Sequence, residues 1–68
     1  MMNPHCAAVC RAAQIALEER KGRLLPGLAW EFVDALPEEW RIEARAAVGY
    51  TLTKGFMPAI IRQALRAA

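Results

Sequence analysis

The sequence contains no serine and a single histidine, and this scarcity restricts the catalytic chemistry open to it. A nucleophilic cysteine would have to work with His5, which adjoins Cys6 and therefore points to a different side of a helix. No Gly-rich loop could cradle a phosphate, and Thr51 and Thr53 fit ordinary positions near a helix end. The carboxylates fall on polar faces or in first turns, without the apolar setting that tunes a catalytic acid. We therefore expect a protein that is not an enzyme.

Cysteine is also scarce, with Cys6 and Cys10 four positions apart near the start. Side chains at this helical spacing do not readily reach the geometry of a disulfide, so we expect a reduced pair on an apolar helix face. A structural zinc site takes four ligands, usually from two separated pairs, and the chain has no second pair. Only a site shared between two copies could supply the missing ligands. We expect neither a bound metal nor a cofactor.

Long apolar runs are missing as well. No run approaches the roughly 18 residues that a membrane span needs, and no charged segment followed by an apolar one suggests a signal peptide. These absences predict a soluble, cytoplasmic protein that does not use a membrane. The net charge of +2 comes from basic residues interleaved with acidic ones, so it permits a nucleic-acid partner without arguing for one.

Helical spacing of apolar residues dominates the chain, which has 68 residues and is 56% hydrophobic. We predict a single all-α domain over residues 1–68, a compact bundle of three main helices plus one short helix. The predicted helices cover about residues 4–21, 28–36, 37–54 and 58–67. Nothing in the sequence is typical of a strand.

Helix ends are marked by local signals. Asn3 can cap the first helix, with Pro4 at its first position, and Gly22 suits its end. Gly55 likewise suits the end of the third helix. Pro37 and Pro58 are interpreted as the first residues of the third and fourth helices.

The shorter segments should contribute one apolar face each. Leu24 and Leu25, in the connector after the first helix, are too apolar for a solvated loop and are predicted to cover one end of the core. The inward positions predicted for the second and fourth helices, with the residue before Pro58, are Leu28, Phe32, Ala35, Leu36, Met57, Ile60, Ile61, Ala64 and Leu65.

The third helix differs because it has two apolar or small faces. At about 100° per residue, one side carries Trp40, Ala44, Ala47 and Thr51. Nearly opposite lie Ile42, Ala46 and Gly49. A helix with two such faces needs two partners, and one of them could belong to another molecule.

The leading functional hypothesis is therefore a small protein-interaction module, acting as an adaptor, inhibitor or assembly subunit. A homodimer is expected because a short chain gains core from an interface. Small size and lack of chemistry would also suit a phage or mobile-element accessory protein that acts on a host protein, although no residue supports that origin. Aromatic types common at binding hot spots, together with the second face, define the predicted partner-binding residues: Trp30, Trp40, Ile42, Ala46, Gly49 and Tyr50.

The alternative hypothesis is a DNA-binding protein of the helix-turn-helix type, reading DNA with its C-terminal helix. The residues available for bases or phosphates are Lys54, Arg62, Gln63 and Arg66. Alanines dilute the exposed side of that helix, and the polar mixture typical of a recognition helix is absent. A solvated amphipathic helix explains the same residues, so nucleic acid is the less favoured partner.

Overall fold

The computed structural model describes residues 2–68, and over that range the backbone forms four α-helices and no strand. Helix α1 is Pro4–Arg20, α2 is Leu28–Asp34, α3 is Glu38–Lys54 and α4 is Ala59–Ala67. The all-α prediction is confirmed, and its helix bounds differ from the observed ones by at most two residues, at the end of α2.

The predicted signals at the ends of α1 and α3 are confirmed. The Asn3 side chain accepts a hydrogen bond of 2.7 Å from the Cys6 N–H, which satisfies one of the donors left free at a helix start. Gly22 follows α1 with a φ of +79°, and Gly55 follows α3 with a φ of +84°. Both glycines adopt the left-handed conformation that ends a helix at little steric cost.

Pro37 and Pro58 each lie immediately before a helix, not at its first position as predicted. Pro37 and Pro58 have ψ values of 143° and 146°, so each is an extended residue that precedes the first helical one. The prediction that they are the first helical residues is wrong by one position. Their carbonyls nevertheless begin the helical bonding, since that of Pro58 accepts from the Arg62 N–H at 3.1 Å.

Two side chains at the end of α1 hydrogen-bond to the backbones of α2 and α3. A carboxylate oxygen of Glu19 accepts a 3.0 Å hydrogen bond from the Ala29 N–H, in the first turn of α2, where the preceding Gly27 has no side chain to cap the helix. Arg20 Nε donates to the carbonyl of Leu52 at 3.0 Å, in the last turn of α3. Since His5 at the start of α1 contacts Trp40 near the start of α3, the two long helices run in the same direction.

The core is built mainly from small side chains. Among residues 2–68, the largest that are fully buried are Val33, Val48 and Thr51. The Thr51 hydroxyl donates to the Ala47 carbonyl at 2.8 Å, so this buried polar group is satisfied. The buried apolar residues are Val9, Cys10, Ala12, Ala13, Ala16, Ala29, Val33, Ala44, Ala47, Val48 and Ile61. Burial of Ala44, Ala47 and Thr51 confirms one predicted face of α3.

The predicted inward face of α2 is wrong in part, since Phe32 and Leu36 pack against the buried core but Ala35 does not. The fully buried positions are Ala29 and Val33, whereas Ala35 is exposed and Phe32 is half-buried. The short helix packs against both α1 and α3, and the side that meets them carries a small residue and a β-branched one. The larger side chains of this segment therefore lie at the edges of the contact, where Phe32 and Leu36 pack against the core while staying partly exposed.

Two further inward predictions are wrong. Ile60 is 75% exposed. Helix α4 packs against α1 through the face that contains Ile61, and Ile60 lies about 100° around the helix from Ile61. Leu25 is 73% exposed and Leu24 is 37% exposed, and neither is among the apolar residues that pack against the buried core. Neither leucine covers an end of the core.

Candidate functional site

The second face of α3 is uncovered at its centre. Ile42 is 76% exposed and Ala46, one turn later, is also exposed. Gly49 is partly covered by Trp30, whose ring atom Cη2 lies 4.0 Å from where a Cβ on Gly49 would stand. Tyr50 and Trp30 are each 39% exposed. We call these five residues, Trp30, Ile42, Ala46, Gly49 and Tyr50, the α3 outer face.

Phe56 extends this face and was missed by the sequence reasoning. It is 46% exposed, and its ring meets that of Tyr50 edge-on with centroids 5.8 Å apart. The signal was available: an apolar residue directly after a helix-ending glycine commonly folds back onto the last turn of the helix. The guanidinium of Arg62 lies 5.7 Å from the centre of the Phe56 ring, within the range of a cation–π contact.

Trp40 lies apart from the α3 outer face. It is half-buried and stacks on His5, with ring centroids 5.4 Å apart and planes 5° from parallel. His5 Nε2 lies 3.7 Å from a carboxylate oxygen of Glu43, and it has no hydrogen-bond partner within residues 2–68. The structure thus brings together all the predicted partner-binding residues except Trp40, which instead connects the starts of α1 and α3.

The charges around α3 differ between its two ends. Glu38 and Glu39 are exposed in the first turn, and Lys54 is exposed in the last. This arrangement suits the helix dipole. On the flank near α2, Arg45 lies 3.8 Å from Asp34, so the charge on that flank is matched locally. The exposed surface of α3 is therefore acidic at the start of the helix and basic at its end.

The thiols are placed for packing. Both cysteines are free, with Cys6 half-buried and Cys10 buried. Burial, and secondarily the neighbouring Cys6, raises the pKa of the Cys10 thiol. A thiol in such a setting stays protonated and unreactive near neutral pH. No cluster of three or more His, Cys, Asp or Glu side chains placed to hold a metal is found in the described part of the chain.

The residues of the nucleic-acid hypothesis are all exposed but lie on two helices. Lys54 ends α3, whereas Arg62, Gln63 and Arg66 lie on α4. The head group of Arg62 is held against Phe56, which leaves it less free to follow a phosphate backbone. Binding of DNA through these residues stays a prediction.

None of the helices within residues 2–68 combines the length and the apolar content needed to cross a membrane. Comparison of the chain with protein-family models, with curated proteins and with solved structures finds no match.

Proposed function

We propose that this chain is a non-enzymatic protein-binding module and that the α3 outer face is its binding surface. The observation that supports this most directly is the 76% exposure of Ile42, in a helix whose opposite side is buried. Isolated exposed apolar residues are ordinary, but here Ile42 adjoins small residues and exposed aromatic rings. A partner helix laid on this surface would remove them from water together.

The composition of the face suits helix packing. Ala46 is small enough to let a second backbone come close. Trp30, which partly covers Gly49, and Tyr50 belong to the residue types that dominate binding energy at interfaces. Recognition of this kind, helix against helix, needs no catalytic group. Such a module would act as an adaptor, an inhibitor or an assembly subunit in the cytoplasm, and the same surface could serve an accessory protein of a phage or mobile element that acts on a host protein.

Site-specific photo-crosslinking tests this proposal. A photoreactive amino acid is placed at Ala46 and, as a matched control, at Ala7, an exposed alanine on α1. In lysate of the source cell, we expect a discrete protein adduct from position 46 and none from position 7. The adduct should be lost in Ile42→Gln and retained in Ile60→Gln, because these isoleucines are 76% and 75% exposed in separate helices.

Equal labelling from both positions, or no adduct from position 46, would contradict the proposal.

The DNA-binding alternative makes a separate prediction. It requires salt-sensitive retention of the purified chain on duplex DNA that weakens when Arg62 and Arg66 become alanine.

A further inference from the structure

Along α3, unlike residues stand at equal distances on the two sides of Ala46. Ile42 stands four positions before Ala46, and Tyr50 stands four positions after it. Toward the ends of α3, Glu38 stands eight positions before Ala46 and Lys54 stands eight positions after it. In an antiparallel pair of identical helices that cross at Ala46, residues equally distant from the crossing face each other. Each Ile42 would then meet Tyr50 of the partner subunit, and each acidic end would meet a basic one.

We infer that the occupant of the α3 outer face is a second copy of this chain, with α3 packed antiparallel on α3 about a two-fold axis at Ala46. This inference rests on the proposed function, to which it adds the identity and orientation of the partner. Identical chains most often pair through a two-fold axis, where one patch serves both copies. A surface that complements itself is what that symmetry requires.

Steric fit supports the crossing point. Ala46 would sit on the axis, so one methyl group from each copy separates the two backbones there, and Trp30 partly covers Gly49 one turn away. Helices with such residues at the contact can approach to roughly 8 Å. A helix of 17 residues is about 25 Å long, enough to span a dimer contact of ordinary size. Such a contact takes about 800 Å² from each copy, which is close to a fifth of the 4480 Å² that one chain exposes.

The charges at the two ends of α3 favour an antiparallel pair over a parallel one. A parallel pair would set Glu38 and Glu39 against their own copies, whereas the antiparallel pair sets this acidic end against Lys54 of the partner subunit. On the other flank the two copies of Arg45 would approach each other, but each is already matched by its own Asp34 at 3.8 Å. Exposed ion pairs add little affinity, so their role here is to select one orientation.

Sedimentation equilibrium of the purified full chain, from micromolar to millimolar concentration, tests the second copy. We expect a reversible dimer in the wild type. Ile42→Gln should raise its dissociation constant about 100-fold, because symmetry removes the buried isoleucine twice. Ile60→Gln, with a nearly identical exposure of 75% against 76%, should leave it unchanged. Circular dichroism checks that both variants stay helical, as expected for exposed positions.

Charge exchange tests the orientation. Glu39→Lys alone and Lys54→Glu alone should each weaken the dimer by roughly three- to tenfold, since each sets like charges together twice. The two changes in one chain should restore the wild-type constant. Mixing the two single variants should also give a heterodimer tighter than either homodimer.

Each opposing result has a definite meaning. A wild type that stays monomeric at millimolar concentration overturns the inference, and so does a dimer that is indifferent to Ile42→Gln. A dimer that responds to Ile42 but not to the single charge changes overturns the antiparallel order. If the pure chain is monomeric while position 46 crosslinks to a different protein, this inference fails and the proposed function stands. If position 46 gives no adduct of any kind, the proposed function fails too.

Discussion

Replacing Gly49 by alanine should stabilise the folded chain. The new Cβ would meet one atom at an ordinary distance, Cη2 of Trp30 at 4.0 Å, and the backbone there is helical. Glycine within a helix costs roughly 0.8–1 kcal/mol relative to alanine. With no clash to offset that gain, Gly49→Ala should raise the free energy of unfolding by about 1 kcal/mol, which corresponds to an increase of roughly 4–8 °C in Tm for a domain of this size.

The same substitution at Gly55 is the matched control. Space around it is also open, since the nearest atom to a new Cβ is a guanidinium nitrogen of Arg20 at 3.9 Å. Its φ of +84°, however, is a left-handed conformation that costs an alanine roughly 1–2 kcal/mol. The two alanine variants should therefore shift stability in opposite directions and differ by about 2 kcal/mol or more.

Chemical denaturation followed by far-ultraviolet circular dichroism measures both variants. The protein should be dilute enough that any self-association is negligible, because Gly49 lies on the α3 outer face and an added methyl group there should also weaken the dimer. The reasoning would be refuted if Gly49→Ala were no more stable than the wild type. That result would mean that Trp30 or the backbone of α2 lies closer to α3 than the structure places it.

Two other predictions concern side chains of α1, Glu19 and Cys10. Glu19→Ala should lower the free energy of unfolding by about 1 kcal/mol in denaturant titrations, because the Ala29 N–H at the start of α2 loses its acceptor. Glu19→Gln keeps an acceptor oxygen and should retain most of that stability; equal losses would rule out this capping role. Because burial raises the pKa of Cys10, the folded state holds that proton more tightly, and stability should fall as pH rises from about 8.5 through the folded-state pKa. Cys10→Ala should show a shallower decline between pH 8 and about pH 10, and a slope identical to wild type would contradict this.

Helix positions were predictable because their signals are local. Asn3 with Pro4 at the start of α1, and glycines at the ends of α1 and α3, act on backbone groups within a few residues of themselves. Such effects do not depend on how the helices later pack. The two prolines were misplaced by one position because a proline suits both the extended residue before a helix and the first residue within it.

Burial was less predictable because it depends on distant neighbours. Phe32 and Val33 are both apolar residues on α2, and only the positions of α1 and α3 decide which of them is fully buried. Likewise, whether Ile60 or Ile61 is buried depends on the side from which α4 meets α1. Apolar spacing identifies a helix, but in segments of seven and nine residues it does not fix the rotation of the helix about its axis.

The α3 outer face was predictable in part. The helical wheel separates Ile42, Ala46 and Gly49 from the buried side without any tertiary information. It could not show that Trp30 crosses over Gly49, since that contact joins two helices. Trp40 was grouped with the others by residue type alone, although its own place on the wheel already lay on the side of the buried residues.

The small core and the exposed outer face together limit how much apolar surface one chain buries. Where α1, α2 and α3 meet, the largest fully buried side chains in residues 2–68 are valines and a threonine, so the backbones lie close and leave little room for larger groups. Trp30 and Ile42 lie outside that contact and are 39% and 76% exposed. Burial of that surface against a second copy would contribute at about 25 cal/mol per Å², and the contribution would depend on protein concentration. The folding of this chain and its association are therefore linked: if the outer face pairs as proposed, the thermal midpoint rises with concentration, and Ile42→Gln moves that rise to about 100-fold higher concentration.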